Sequence, residues 1–250
     1  MNVTLIGGSG LIGRNLAPLL ERAGHRVTLA SPSQGVNTLT GEGLAQALAG
    51  ADVVVDVSNS PSFEAQAVMQ FFRTSTTNLL AAEQAAGVRH HVALSVVGAD
   101  RLADNGYMRA KVAQEALIAG GKVPYTIVRA TQFYEFLVAI AGEGQAPRVS
   151  SALFQPMAAE DVAKFLAVVV PQEPRNGILE VGGPERLPMD RAVQRALDAH
   201  GDARRVVADA KAPYFGSLVD DQSLVTAAGA QVGAITLDAW LAKVATPGAR

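Results

Sequence analysis

Residues 7–13 read GGSGLIG. They join a short apolar run, VTLI (3–6), to LIGRNLAPLLERAG (11–24), where Leu11, Leu16, Leu19 and Leu20 recur with helical spacing. A strand that passes into a helix over so few residues needs a tight turn. A glycine at the helix start also lets helix and strand pack with no side chain between them. The turn reads as G-x-x-G-x-x-G through Gly7, Gly10 and Gly13, and as G-x-G-x-x-G through Gly8, Gly10 and Gly13. The helix beyond it presents unpaired N–H groups and the positive end of its dipole, which suits a pyrophosphate. A purely structural turn would use the same glycines, so the meaning of the motif depends on the rest of the chain.

Beyond residue 24 the chain alternates. VTLA (27–30), a short strand ahead of Asn37, DVVVDVS (52–58), HVALSVVG (91–98) and YTIVRA (125–130) read as strands. Helical stretches over about 63–86, stopping at Gly87, and about 106–120 lie between the later ones. Such alternation predicts right-handed crossovers and an α/β fold, a Rossmann-type doubly wound parallel sheet. After 131 the rhythm changes: a helix over 131–141, a Gly/Pro loop (142–148), an amphipathic helix over 158–170 that breaks at Pro171, a strand over 177–183, a helix over 184–201 and a last helix near 236–244. The 250 residues therefore read as a single domain. Its Rossmann core is 1–130 plus about 156–183, and a small C-terminal substrate lobe comprises about 131–155 and 184–250. In that setting Gly7, Gly8, Ser9, Gly10, Leu11, Ile12 and Gly13 are expected to cradle a dinucleotide.

Composition excludes more than it selects. A net charge of −2 gives no footprint for nucleic acid or an anionic membrane. There is no cysteine, hence no disulfide, thiolate metal site or cysteine nucleophile. No apolar run approaches a membrane span and no basic leader precedes the first strand, so a soluble cytoplasmic protein is expected. His25, His90, His91 and His200 lack metal-ligand spacing, and no metal is assigned.

The second strand carries no acid at its end. Leu29 and Ala30 are followed by Ser31, Pro32 and Ser33, and the next carboxylate is Glu42. An acid there would hold a free ribose 2′-hydroxyl and repel a 2′-phosphate. Ser31 and Ser33, with Arg14 near the helix start, could accept that phosphate, so NADP(H) is preferred over NAD(H); the alternative is that both serines cap a turn. Asn37 and Thr38 could meet the adenine edge.

Residues 107–111 read YMRAK. Tyr107 and Lys111, four apart, share one helix face, and Ser95 lies twelve residues upstream at the carboxyl end of a strand, where open α/β sheets place ligands. A phenol beside an ammonium is drawn toward its ionised form and can exchange a proton near working pH. A serine hydroxyl can donate to a substrate oxygen that gains charge. Ser95 has no G-x-S-x-G elbow around it, which argues against a hydrolase nucleophile.

GGSGLIG, SVVG at 95–98 and YMRAK together resemble the short-chain dehydrogenase/reductase superfamily. The order RHHVALSVVGAD, YMRAK, VPYTIVRATQFYEF, QPMAAEDVA is similar to its atypical NmrA-like NAD(P)-binding branch, over about residues 1–185. The resemblance implies an NADP(H)-dependent oxidoreductase that interconverts a carbonyl and an alcohol on a small to medium apolar substrate. Ser95, Tyr107 and Lys111 would be its catalytic set, with Lys111 also on the nicotinamide ribose. It further implies cofactor contacts from Val57, Ser58, Asn59, Ala130, Thr131, Gln132 and Phe133. Phe133, Tyr134, Phe136 and Tyr214 are candidates for the substrate pocket, with Phe215 beside Tyr214, although aromatics at helical spacing also suit a core. Asn78 is placed by position alone as a fourth catalytic member. Two alternatives stay open: a non-catalytic dinucleotide-binding redox sensor, and an epimerase or dehydratase that retains its cofactor. A monomer or a homodimer is expected.

Overall fold

The structure, a computed structural model, describes residues 1–244. In chain order its elements are β1 (Asn2–Ile6), α1 (Leu11–Arg22), β2 (Arg26–Ala30), α2 (Leu44–Ala47), β3 (Val53–Asp56), α3 (Ala65–Ala86), β4 (His90–Val96), α4 (Gly106–Ala119), β5 (Tyr125–Ala130), α5 (Leu137–Ile140), β6 (Arg148–Val149), β7 (Leu153–Phe154), α6 (Ala159–Val169), β8 (Gly177–Gly182), β9 (Leu187–Pro188), α7 (Met189–Ala199), β10 (Val207–Ala208), β11 (Gln231–Val232) and α8 (Leu237–Val244). Seven strands form one parallel sheet in the order β11-β8-β5-β4-β3-β1-β2. The chain winds outward from β1 to β2, then returns to β3 on the other side of β1. That reversal opens a crevice at the carboxyl ends of β1 and β3, where this fold class binds ligands.

The strands read as unbroken apolar runs because both faces are covered. Val53 and Val55 pack with Leu16, Leu20, Val162 and Leu166 beneath α1 and α6, while Val54 faces Leu79 of α3. Residues of β4 alternate likewise: Val92 joins the α1/α6 side, and Ala93 meets Ile118 of α4. The C-terminal lobe has its own core, in which Leu137, Phe154, Val193, Leu197 and Leu237 bring α5, β7, α7 and α8 together.

Three expected elements differ. No strand forms between β2 and β3: Gly35, Gly41 and Gly43 all adopt positive φ, and Asn78 Nδ2 holds the segment as a loop by donating to the carbonyls of Thr38 (2.9 Å) and Leu39 (3.0 Å). The helix expected over 131–141 is reduced to a 3-10 turn, Tyr134–Phe136, and the four-residue α5. Thr131 N donates to Val181 O, Met157 N to Gln132 O and Tyr134 N to Met157 O, so this stretch extends the sheet edge first. The helix expected from 184 begins only at Met189, because Leu187 and Pro188 pair antiparallel with Leu153 and Phe154.

Among the described residues no helix is long and apolar enough to cross a membrane, and no group of three or more His, Asp or Glu side chains could hold a metal.

Candidate dinucleotide and catalytic site

The glycine turn is built by backbone contact. Gly7 has φ +78°, and a Cβ there would stand 2.8 Å from Ser58 Cα; one at Gly13 would stand 2.6 Å from the Gly8 carbonyl carbon. Gly10 is the N-cap of α1, with no side-chain cap and no acid in the first turn. The first helical bond runs from Arg14 N to Gly10 O at 3.0 Å, which leaves the N–H groups of Leu11, Ile12 and Gly13 to point out of the helix end. Ser9 and Gly10 are exposed there. This cradle, open to an anion and closed to side chains, fits a pyrophosphate. A second fit comes from Gln132, at the end of β5: its side-chain Nε2 and Oε1 are buried with no partner, an arrangement that costs free energy unless a polar ligand group answers it.

At the end of β2, Ser31 is buried and its hydroxyl bonds to Ser33 Oγ (2.9 Å) and to Gln34 Oε1. Ser33 is exposed. Arg14 lies over the turn, its guanidinium donating to Ser9 O at 2.9 Å. Asn37 Oδ1 accepts from Leu39 N at 2.9 Å, turning its amide into its own loop. The Asn78 side-chain nitrogen is committed to that loop, donating to Thr38 O and Leu39 O.

The loop after β3 links the cradle to α4. Val57 N donates to Ile6 O, Ser58 backs onto Gly7, and Asn59 Oδ1 accepts the Tyr107 hydroxyl at 3.3 Å. Tyr107 rests against Phe63 and Phe72. Burial pushes its phenol up to about 12, opposite in direction to the expected acidification. The reason is the lysine's placement. Lys111 Nζ donates to Leu94 O (2.9 Å) and to Gln114 Oε1, and lies 4.3 Å from the centroid of the Phe72 ring. Its charge is spent beneath α4, and Gln114 Nε2 passes the connection on to Asp56 Oδ2 at 3.0 Å. Asp56 Oδ1 accepts both the N–H (2.9 Å) and hydroxyl (2.6 Å) of Ser58.

Ser95 is also turned inward. Its hydroxyl donates to Glu115 Oε1 at 2.5 Å, and Glu115 is gripped by Arg129, Nε to Oε1 at 2.9 Å and Nη2 to Oε2 at 2.6 Å. Arg129 Nη1 reaches on to Asp100 at 2.8 Å. A hydroxyl has one proton, so in this arrangement Ser95 cannot also donate to a substrate oxygen. The structure thus joins Tyr107 to Asn59 and the glycine turn, and ties Ser95 and Lys111 into buried networks. Asp56, Gln114, Glu115 and Arg129 escape a reading of the sequence alone, although a carboxylate in VVVDV and a guanidinium in TIVRA are visible departures from apolar strands.

The expected pocket aromatics divide. Tyr134 is a core residue, 1% exposed, with its hydroxyl on Ile235 O (3.1 Å) and its ring against Trp240; it does not line a pocket because the C-terminal lobe packs over it. Phe136 is exposed and stacks on Phe133. Ala130 is core, and Thr131 Oγ1 accepts from Gly183 N at 3.3 Å. Tyr214 is buried, between Phe154 and Phe215.

The buried ammonium has a measurable consequence. Burial brings Lys111 down to about 8, below the unfolded value near 10.4. Between those values the unfolded chain holds the proton that the folded one has released, so this residue makes stability rise with pH from about 8 to about 10, by roughly 3 kcal/mol. Below about pH 8 both states are protonated and that gain is absent. Chemical denaturation of Lys111→Met across this range is expected to lack the slope; an unchanged slope contradicts the assignment.

Comparison with known proteins gives three kinds of likeness. The sequence model of a family described as NAD(P)H-binding matches residues 7–173. The photosystem II assembly factor Ycf39 of Synechocystis is 26% identical over 152 residues, 55% of this chain and 47% of that protein, so the chain spans about half the length of this curated relative. Among solved structures, UDP-glucose 4-epimerase of Thermotoga maritima, with UDP-glucose, aligns over 98% of this chain and 97% of its own at TM-score 0.75 and 14% identity. UDP-glucose 4-epimerase of Thermus thermophilus, complexed with NAD, covers 90% of each chain at TM-score 0.71 and 17% identity. dTDP-4-dehydrorhamnose reductase of Bacillus anthracis, complexed with NADP, covers 83% of this chain and 84% of its own at TM-score 0.67 and 14% identity. At these identities the structural likeness shows the fold.

Proposed function

The chain belongs to the NAD(P)H-binding family, in the NmrA-like branch of the short-chain dehydrogenase/reductase superfamily, and on that premise we propose that it is an NADP(H)-dependent oxidoreductase reducing a carbonyl on a small to medium apolar substrate, with Tyr107 as the proton donor. The observation that supports this most is the Tyr107 hydroxyl on Asn59, in the loop packed against Gly7. It sets the phenol at the carboxyl edge of the sheet that carries the glycine turn. A phenol raised to about 12 is protonated at neutral pH. That is the state able to give a proton to a carbonyl oxygen, while burial also makes the phenol a weaker acid than a free one.

The dinucleotide, when bound, supplies the hydride. Gly7, Gly8, Ser9, Gly10, Leu11, Ile12 and Gly13 hold its pyrophosphate. Val57, Ser58 and Asn59 line the ribose side, and Thr131, Gln132 and Phe133 the nicotinamide end, with the free amide of Gln132 answering a carboxamide. Tyr107 gives its proton to the carbonyl oxygen by exchanging its long 3.3 Å bond to Asn59 Oδ1 for one to that oxygen; the 2.5 Å bond that commits Ser95 to Glu115 is the tighter of the two. Lys111 fixes α4 from beneath through Leu94 O and Gln114 Oε1; Ser95 and Glu115 anchor that helix to β4 and β5. Asn59 orients the Tyr107 hydroxyl.

The preference for NADP(H) rests on Ser33 and Arg14 at the end of β2, where no carboxylate stands. Arg14→Ala is expected to raise the NADPH Kd about tenfold, as loss of one charge-assisted contact, and to leave the NADH Kd nearly unchanged; equal effects on both would refute the assignment. A second reading, dinucleotide binding without turnover, is favoured by the internal commitments of Ser95 and Lys111. Oxidation of NADPH against a ketone panel separates them: net consumption supports the reductase, and tight dinucleotide binding with no consumption supports the sensor.

A further inference from the structure

We infer that the carbonyl substrate is a planar aromatic one, its ring received by Phe63 and Phe215; the carbonyl part rests on the reading of Tyr107 as proton donor. Most large apolar side chains are buried, yet Phe63 is 71% and Phe215 61% exposed. Both stand at the start of α4. The Phe63 ring lies 5.9 Å from that of Tyr107, tilted by 43°. The Phe215 carbonyl accepts from Asn105 Nδ2 at 3.1 Å, and Asn105 is the N-cap of α4, two residues before Tyr107. The Phe215 ring meets Tyr214 edge-on at 4.8 Å, and the Tyr107 phenol adds to burial in raising that of Tyr214.

Phe215 is also in a conformation its side chain opposes. Tyr214 and Ser217 exchange two backbone hydrogen bonds (2.7 and 3.1 Å) around a two-residue turn whose central residues, Phe215 at φ +44° and Gly216 at φ +91°, are both left-handed. Asn-Gly is the favoured pair for such a turn, and a bulky residue at positive φ is an outlier. The fold thus holds a strained phenylalanine at a loop tip with its ring in solvent, where an asparagine would cost less on both counts. Strain kept in this way beside a reactive group points to binding.

The charged side chains on either side of this surface bond to the backbone. Glu64, next to Phe63, is spent on the N–H groups of Gln66 and Ala67. Arg109, on the turn of α4 after Tyr107, donates to the carbonyls of Ala103 and Asp104. The exposed surface of Phe63 and Phe215 is aromatic, and such surface prefers offset or edge contacts with another aromatic ring over a saturated one.

Calorimetric titration of the full chain with 2-acetylnaphthalene and with its saturated counterpart, 2-acetyldecalin, tests this without requiring turnover. The naphthyl ketone is expected to bind about tenfold more tightly, the worth of about one favourable ring pair. That ratio should fall toward one in Phe63→Leu and in Phe215→Asn. Phe215→Asn relieves the turn, so its Tm is expected not to fall, which separates lost recognition from lost folding. A wild-type ratio near one, or a ratio unchanged in both variants, overturns the aromatic assignment. Selective binding with no consumption of NADPH would sustain the ring recognition and overturn the reductase reading alone.

Discussion

Tyr107→Phe is expected to lower kcat/KM for ketone reduction by about a thousandfold, within the range general acid catalysis supplies, while leaving the NADPH Kd within about a factor of two of wild type, a difference too small to mark a lost hydrogen bond. The substitution removes one oxygen and keeps the ring that packs on Phe63 and Phe72. In the folded protein it frees only Asn59 Oδ1, which retains its bond from Ser60 N at 2.9 Å. Stability should therefore barely change. Single-turnover rates together with a fluorescence titration of NADPH check both halves. Unaltered rates would show that the proton comes from elsewhere, and a collapse in cofactor affinity would show that the phenol serves binding.

The raised phenol adds a pH expectation of its own. Because Tyr107 is pushed up to about 12, reduction should not lose its proton donor anywhere between neutrality and about pH 10. The reverse oxidation, which needs the phenolate, should climb across the same interval.

Gly13→Ala is expected to raise the dinucleotide Kd by a hundredfold or more and to cost about 2–3 kcal/mol of folding stability, the scale of overpacking a closed contact. The added Cβ would meet the Gly8 carbonyl group and lie 2.6 Å from Gly8 Cα. All of these are backbone atoms, so relief requires α1 to move off the turn, carrying the N–H groups of Leu11, Ile12 and Gly13 with it. Gly24→Ala is the matched control. Gly24 has φ +82° but nothing within 4 Å of its would-be Cβ. It should cost about 1 kcal/mol through backbone conformation and leave cofactor affinity alone. Equal loss of affinity in both variants would mean that the effect is general destabilisation.

The sheet is legible in the sequence because its strands announce themselves locally. YTIVRA (125–130) is β5 residue for residue, and Gly87 ends α3 in the left-handed conformation that a helix stop requires. The stretch from 131 is not legible, since its conformation depends on distant partners: Met157 for Gln132 and Tyr134, Ile235 for the Tyr134 hydroxyl. The same limit applies to the chemistry. A spacing of four puts Tyr107 and Lys111 on one helix, but it does not say where each side chain finds its partner. Tyr107 reaches out to Asn59, whereas Lys111 turns under Phe72 to Leu94 and Gln114. Ser95 stands out in the sequence for its place at the end of a strand; its hydroxyl follows the even–odd alternation of β4 onto the α4 side, where Glu115 and Arg129 await it. Asp56 and Arg129 are the visible clues, being charges inside strands that are otherwise apolar.

The most direct measurement is a single turnover of NADPH-loaded protein mixed with an aryl ketone, followed by loss of the reduced-nicotinamide absorbance in H2O and in D2O. Proton donation from Tyr107 predicts that the absorbance falls, that the fall is slower in D2O, and that Tyr107→Phe abolishes it with the dinucleotide still bound. An absorbance that does not change in the wild-type protein, or that falls equally fast in the variant, would contradict it.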